Sequence, residues 1–329
     1  MYKTLKSLLP TTPSVSGREE GIRKILTDMM APLTDDITVD AMGNLICHKK
    51  GSAMEPGKVM LVAHMDEIGF IVTYIEENGF IRVAPVGGIS YAAAIYSEVV
   101  FENGTVGVIV PEADADKEPK AEKCYIDIGA ASAKEASRHL KVGDCCALMP
   151  RLNKMGAHRV AGRPLDDRVG CACLVKIAEK LTAPADDIYY VFSVQEEVGC
   201  RGARPAAFSV APDLALNFDV TATGDEQGAT PMAVKLGDGA AIKIKDASVI
   251  CHQGLVEELI ETAKEKNIKV QTEILTFGGT DTSAVQMTAY GCRAGAISIP
   301  TRYIHSGVEM IDLRDVEATV DLTLAYLGG

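Results

Sequence analysis

Apolar residues along the chain follow two rhythms, and the places where one gives way to the other divide it into three stretches. Near the start, Ile22, Ile25, Leu26, Met29 and Met30 recur at helical spacing. Ser16, followed three residues later by Glu19, reads as the capped start of that helix, and Pro32 as its end. The turn Asp40-Ala41-Met42-Gly43-Asn44 leads into a short strand, Leu45 to Cys47. Val59–Ala63 is an unbroken apolar run of the kind found in fully buried strands. It stops abruptly at His64, Asp66 and Glu67, and the carboxyl end of a buried strand is where open α/β sheets place their ligands.

From about residue 68 to about residue 160 the rhythm becomes short and strand-like, with Gly, Pro and Asp/Asn turns between segments. Strands are predicted at Ile68–Ile75, Phe80–Val86, Val99–Glu102, Val106–Val110 and Leu140–Met149, and the polar stretch Glu112 to Lys123 reads as an exposed loop. After Pro164 helix and strand alternate again. Arg168–Leu181, Gln253–Lys266 and Leu313–Tyr326 are predicted helices; Ile188–Val194, Leu214–Phe218, Val270–Thr276 and Ala294–Ile299 are predicted strands. The pattern predicts an α/β domain built from residues 1–67 and 161–329, interrupted by a small all-β domain at 68–160.

Composition narrows the functions open to such a chain. Its 329 residues suffice for about two domains. Lys+Arg 33 against Asp+Glu 45 gives a formal net charge of -12, which argues against a nucleic-acid partner but suits a cleft that holds cations. Nine cysteines without a CxxC pair suggest a reducing compartment and a cytoplasmic protein, each of them more readily a small buried hydrophobe than a ligand. The first apolar stretch stops at Pro10, too short for a signal sequence, and no run approaches the roughly 18 apolar residues of a membrane span. No membrane partner is expected.

Five segments concentrate acids and histidines just after strands or at helix starts. His64 and Asp66 lie two apart on an extended strand end and so face the same side, although an HxD alone is as well explained by a satisfied histidine. Asp166 and Asp167 could be a helix cap and a first-turn acid. Glu196 and Glu197 are sharper: adjacent carboxylates after an apolar strand repel unless a cation or a proton lies between them. Asp219 ends a fourth apolar run, and His305 follows the strand at Ala294–Ile299. Two histidines with three or four carboxylates suit two divalent ions sharing a carboxylate, zinc first, with cobalt or manganese able to compete. His48, His139, His158 and His252 sit in polar or helical contexts and read as bystanders.

The segments AHMDEIGF (63–70), PLDDRVGC (164–171), VQEEVGCRGA (194–203), NFDVT (217–221), GGTDTSAVQ (278–286) and IPTRYIHSGVEMI (299–311) resemble, in order over nearly the whole chain, the M42 metallo-aminopeptidases, the glutamyl/deblocking and tetrahedral aminopeptidase group. The related M20 carboxypeptidases share an HxD and a Glu-Glu pair, but DDRVG and PTRYIHS favour M42. The resemblance implies a zinc-peptidase-like three-layer catalytic domain with an inserted, PDZ-resembling β-barrel. It implies hydrolysis of N-terminal residues from peptides by water activated between two metal ions. It makes His64 and Asp219 ligands of one metal, Glu197 and His305 ligands of the other, Asp166 the bridge, Asp66 the acid that orients His64, and Glu196 the general base. Gly278, Gly279, Thr280 and Asp281, with Arg302, are implied near the substrate. It also implies a homo-oligomer, as large as a dodecamer. One stretch departs from the family: Gly87-Gly88-Ile89-Ser90-Tyr91-Ala92-Ala93-Ala94 lacks the usual aromatic after Gly-Gly, and no histidine falls between His64 and His139. Two rival classes fit less well. A glycosidase would want aromatic platforms that Trp 0 and 5% aromatics hardly provide, and a non-catalytic metal protein has no use for an unligated Glu196.

Overall fold

The computed structural model describes residues 1–9, 13–115 and 120–328. Pro10, and residues 116–119 of the loop expected at 112–123, lie outside the described residues. In chain order the strands are β1 (Asp36–Val39), β2 (Leu45–Lys49), β3 (Lys58–His64), β4 (Gly69–Ile75), β5 (Ile81–Val86), β6 (Glu98–Phe101), β7 (Val106–Pro111), β8 (Cys124–Asp127), β9 (Cys145–Leu148), β10 (Arg151–Met155), β11 (Arg159–Arg163), β12 (Asp187–Ser193), β13 (Leu214–Thr221), β14 (Ala240–Lys245), β15 (Val270–Ile274), β16 (Arg293–Arg302) and β17 (Glu309–Asp312). The helices begin with α1 (Tyr2–Ser7) and α2 (Glu20–Met30), continue with the short α3 (Tyr91–Ala94) and α4 (Ala133–Ala136), and end with α5 (Arg168–Lys180), α6 (Ala203–Val210), α7 (Gln253–Glu265), α8 (Asp281–Gln286) and α9 (Leu313–Tyr326). Among the described residues the strands form two sheets. Eleven strands make a mixed sheet in the order β1-β2-β12-β3-β13-β16-β17-β11-β10, with β14 and β15 branching from β16, and β4-β5-β8-β7-β6-β9 close into a barrel.

The centre of the large sheet is parallel: β3 runs between β12 and β13, and β13 pairs with β16. Strand β3 shows why. Its side chains alternate between faces, and both faces are apolar. Val59, Leu61 and Ala63 join one hydrophobic cluster, with Ile22, Leu26 and Met30 of helix α2 (Glu20–Met30) and the apolar positions of α5 (Arg168–Lys180), α7 (Gln253–Glu265) and α9 (Leu313–Tyr326). Met60 and Val62 join another, with Ala203, Ala206, Ala207 and Val210 of α6 (Ala203–Val210) and Val285 of α8 (Asp281–Gln286). Helices therefore cover both faces, and the carboxyl ends of β3, β12, β13 and β16 gather at one edge. The barrel has its own core, including Phe70, Val72, Ile81, Phe101, Ile109 and Ile126. Among the described residues no helix is long and apolar enough to cross a membrane.

Two expectations need correction. Strand β10, expected inside the 68–160 segment, pairs with β11 in the large sheet; the barrel strands run only from Gly69 to Leu148. And Ser16 does not cap α2, which begins after Glu19 with no side-chain cap bond. The Ser16 hydroxyl donates instead to Asp66 Oδ2 at 2.7 Å, and Glu19 Oε1 accepts from the backbone N–H groups of Gly17 and Gln195 at 2.7 and 3.2 Å. The two residues that resemble a helix cap tie the N-terminal segment to the ends of β3 and β12.

Candidate metal centre

The strand ends deliver most of the chemistry. His64 is the last residue of β3 and Ser193 the last of β12, and the parallel register sets them side by side. The chain then leaves β12 in a tight turn with Gln195 at φ 55, Gly199 at φ 116 and Cys200 at φ 53. Two side chains clamp that turn. Asn44 Oδ1 accepts from Val194 N at 3.0 Å while its Nδ2 donates to Gly202 O at 2.9 Å. The fully buried Asp66 carboxylate accepts from the backbone N–H of Glu196 at 3.0 Å and of Glu197 at 3.2 Å. Asp66 Oδ1 is 3.5 Å from His64 Nδ1, and the Asp66 carbonyl is closer at 3.2 Å. Its carboxylate thus bonds chiefly to the Glu-Glu turn, a role the HxD spacing did not announce.

Asp166 reaches both histidines: Oδ1 lies 3.0 Å from His64 Nε2 and Oδ2 lies 3.3 Å from His305 Nε2. Glu197 Oε2 is 3.2 Å from the same His305 nitrogen, and Asp219 Oδ1 is 3.8 Å from His64 Nε2. The His305 ring is fixed from behind, its Nδ1 donating to the Gly88 carbonyl at 3.1 Å, and His305 holds φ 61. Such positive φ values in residues other than glycine are costly, and four of them (Gln195, Cys200, Tyr303, His305) surround this cluster. Asp167 divides its carboxylate: Oδ1 caps α5 by accepting from Gly170 N at 2.8 Å, while one of its oxygens belongs to a group with His64 and Asp219 whose ligand atoms lie within 4.8 Å of one another. The helix-cap reading of the pair therefore holds for Asp167, while Asp166 lies between the two histidines.

His64, Asp166, Glu196, Glu197, Asp219 and His305 all line one cavity of about 640 Å³. Gly278, Gly279 and Thr280 form part of its wall. Asp281 sits behind them, buried, accepting from Ser193 Oγ at 2.5 Å. Arg302 does not line the cavity; its guanidinium pairs with Asp225 at 2.6 Å. The four bystander histidines also lie elsewhere: His48 stacks on Tyr189 and His252 caps α7. Glu309, not singled out by sequence, supports the Asp166 backbone, its Oε2 accepting from Leu165 N at 2.6 Å and Asp166 N at 3.1 Å. Buried Arg163 adds a second brace from the Ile68 carbonyl to the Ser306 carbonyl.

The family model for M42 glutamyl aminopeptidase matches residues 43–322, which takes in every one of these cavity residues. The chain belongs to the M42 aminopeptidase family. It is a peptidase, hence a hydrolase, of a metal-dependent family. It is 46% identical over 310 residues to a protein of Acetivibrio thermocellus named as an aminopeptidase, covering 94% of this chain and 93% of the other. Its fold matches an aminopeptidase of the archaeon Desulfurococcus kamchatkensis with a TM-score of 0.95 and 36% identity, over 99% of this chain and 93% of that one. It also matches the TET1 peptidase of Pyrococcus horikoshii, which can assemble into a tetrahedron or a large octahedral shell, with a TM-score of 0.88 and 33% identity, over 99% and 98% of the two chains.

In this M42 aminopeptidase the buried cluster carries more negative charge than its imidazoles balance. Burial pushes the carboxyls of Glu196, Glu197, Asp167 and Asp219 up, and repulsion from neighbouring carboxylates, Asp166 among them, adds to it. Burial alone would lower the histidines. The bonds of His64 to Asp166, Asp219 and Asp66 hold it well above its usual value instead, and those of His305 to Asp166 and Glu197 hold it at about 11. Glu197 Oε1 and Asp167 Oδ2 are buried with no hydrogen-bond partner. Orphaned, acceptor-only oxygens beside imidazole nitrogens are a donor set that divalent zinc, cobalt or manganese fits.

Gly88 joins the barrel to this centre. A methyl group there would stand 3.0 Å from His305 Nδ1 and 3.3 Å from its Cε1, so the imidazole must yield. Gly88→Ala is expected to lower kcat/KM by about tenfold, in keeping with the sensitivity of catalysis to sub-ångström misplacement, while Tm stays unchanged. Steady-state kinetics and a thermal melt check it; an unaltered kcat/KM would show that the contact is idle.

Proposed function

We propose that the chain is a dinuclear aminopeptidase that removes N-terminal residues from peptides, with Glu196 as general base. The observation that carries this reading is Asp166, whose two oxygens address His64 and His305 separately while Glu197 and Asp219 flank one histidine each. His64, Asp166 and Asp219 would hold one ion and Asp166, Glu197 and His305 the other, zinc by preference, with cobalt or manganese as alternatives. When bound, the ions supply Lewis acidity, lowering the pKa of water and polarising the scissile carbonyl. Glu196 lines the cavity, and burial raises its carboxyl well above the usual glutamate value. Its carboxylate takes a proton from the attacking water and passes it to the leaving amine nitrogen. Asp66, through the two backbone N–H groups it accepts, keeps Glu196 and Glu197 side by side but pointing to separate tasks.

The barrel, with residues 68–149, is proposed as an inserted, PDZ-resembling unit on a zinc-peptidase-like body, contributing Gly88 to the cavity and surface to self-assembly. The shells formed by the TET1 peptidase support a homo-oligomer such as a dodecamer. All nine cysteines are free, which supports a reducing, cytoplasmic setting.

Glu196, Glu197 and Glu226 line the cavity and no Lys or Arg does, among the described residues. Chelated protein is therefore expected to hydrolyse no aminoacyl amide; adding zinc, cobalt or manganese should restore hydrolysis of apolar and basic ones. Glutamyl amide should be cleaved at least about tenfold less well, the penalty of one unpaired like charge. A rate panel with and without metal tests this. Full activity after chelation would sink the metal mechanism, and glutamyl amide as the best substrate would sink the specificity.

A further inference from the structure

A third group of ligating atoms opens onto the same cavity without sharing a histidine with the first two. Glu196, Cys200 and Asp281 each offer one atom, and the three lie within 4.8 Å of one another. The turn after β12 brings the first two together: the Glu196 carbonyl accepts from the N–H groups of Gly199 and Cys200, both at 2.8 Å, and the Cys200 thiol donates to Glu196 Oε1 at 3.2 Å. Asp281 approaches from the start of α8. It is 1% exposed; its Oδ2 accepts from Ser193 Oγ, and its Oδ1 is buried and bonded to nothing. A carboxylate so deeply buried with one oxygen unpartnered is costly, and a cation is the partner that would relieve it. Glu196 and Cys200 line the cavity, so an ion arriving with solvent meets them directly.

We propose that Glu196, Cys200 and Asp281 form an additional site for a thiophilic divalent cation, zinc in excess or cadmium, and that filling it takes Glu196 away from its work as base. The donor set decides the ion. One sulfur with two carboxylates favours zinc and cadmium over manganese or magnesium, which prefer all-oxygen sites. Binding releases the thiol proton to solvent, so the ion gains a thiolate and no other bond is made or broken. The inhibitory half rests on the base role proposed for Glu196; the binding half does not.

Cadmium chloride titrated into protein already loaded with manganese tests both halves. The ultraviolet thiolate-to-cadmium charge-transfer band reports binding, and peptide-amide hydrolysis reports inhibition. The wild type is expected to show one band-forming equivalent that saturates together with the loss of activity. Cys200→Ala, and Cys200→Ser, which keeps a hydroxyl donor to Glu196, should lack that equivalent. Each should need more cadmium for half-inhibition of its own starting rate, by at least the roughly tenfold that losing even an outer partner costs a metal site. Asp281→Asn should weaken both signals in parallel. A band of equal size in the Cys200 variants overturns the site. A band lost with Cys200 while the inhibition curve stays in place overturns the inhibitory role. Protein inactive on every amide that still shows the Cys200-dependent band would mean instead that the aminopeptidase mechanism has failed and the cation site has not.

Discussion

Glu196→Gln is expected to bind as much metal as the wild type and to lose about 100- to 10,000-fold in kcat, the range that general acid–base catalysis supplies. The substitution keeps the size of the side chain and an oxygen that can still accept from the Cys200 thiol. It leaves untouched the backbone N–H that Asp66 fixes. In the proposed mechanism, what it removes is the ability to hold a proton at the carboxylate between attack of water and departure of the amine. Glu196 makes no contact with either imidazole of the kind that Glu197 makes with His305 at 3.2 Å. Neighbouring residues of one type therefore separate by phenotype: Glu197→Gln should lower metal content, whereas Glu196→Gln should lower turnover alone. KM should change little, because the lost interaction belongs to the transition state. Metal analysis beside steady-state kinetics decides it; a Glu196→Gln rate within a few-fold of wild type would remove Glu196 from the mechanism.

What the residues announced, and what they did not, follows one physical line. His64, Asp219 and the Glu196-Glu197 pair are legible because each stands near or just past the carboxyl end of an apolar strand, where packing has no use for it, and the structure gathers them in one cavity. Their separate roles were not legible from spacing; those came from the resemblance. The sites of failure are polar groups used inside the fold. Ser16 and Glu19 look like a helix cap but bond to Asp66 and to the turn after β12. Strand β10 exposes most of its residues at a sheet edge, so no alternation marks it. Strand β14 carries the fully buried Lys243, paired to Glu273 and Asp246, and a lysine at a core position hides a strand from any hydrophobic pattern. Arg302, three residues before His305 in sequence, pairs with Asp225, distant along the chain. Glu309 braces the Asp166 turn, and Arg163 ties Ile68 to Ser306, from positions that only the folded chain reveals.

Asp166→Ala should cost more than the loss of any other single ligand. In the proposed scheme one carboxylate, 3.0 Å from His64 and 3.3 Å from His305, serves both halves of the centre, so its removal would weaken two sites at once. The scheme separates it from His305→Ala, which takes a ligand from one half only and should lose about one equivalent of metal. Asp166→Ala should retain less than one, and its kcat/KM should fall at least about a thousandfold, since Lewis-acid stabilisation is worth several kcal/mol. The fold should survive, because Glu309 binds the backbone N–H groups of Leu165 and Asp166 rather than the missing side chain, and Asp167 still caps α5. Far-ultraviolet circular dichroism verifies that, and elemental analysis after gel filtration counts the metal. Two equivalents retained by a folded Asp166→Ala would mean that the carboxylate lies between the histidines without bridging anything, and the dinuclear reading would fall with it.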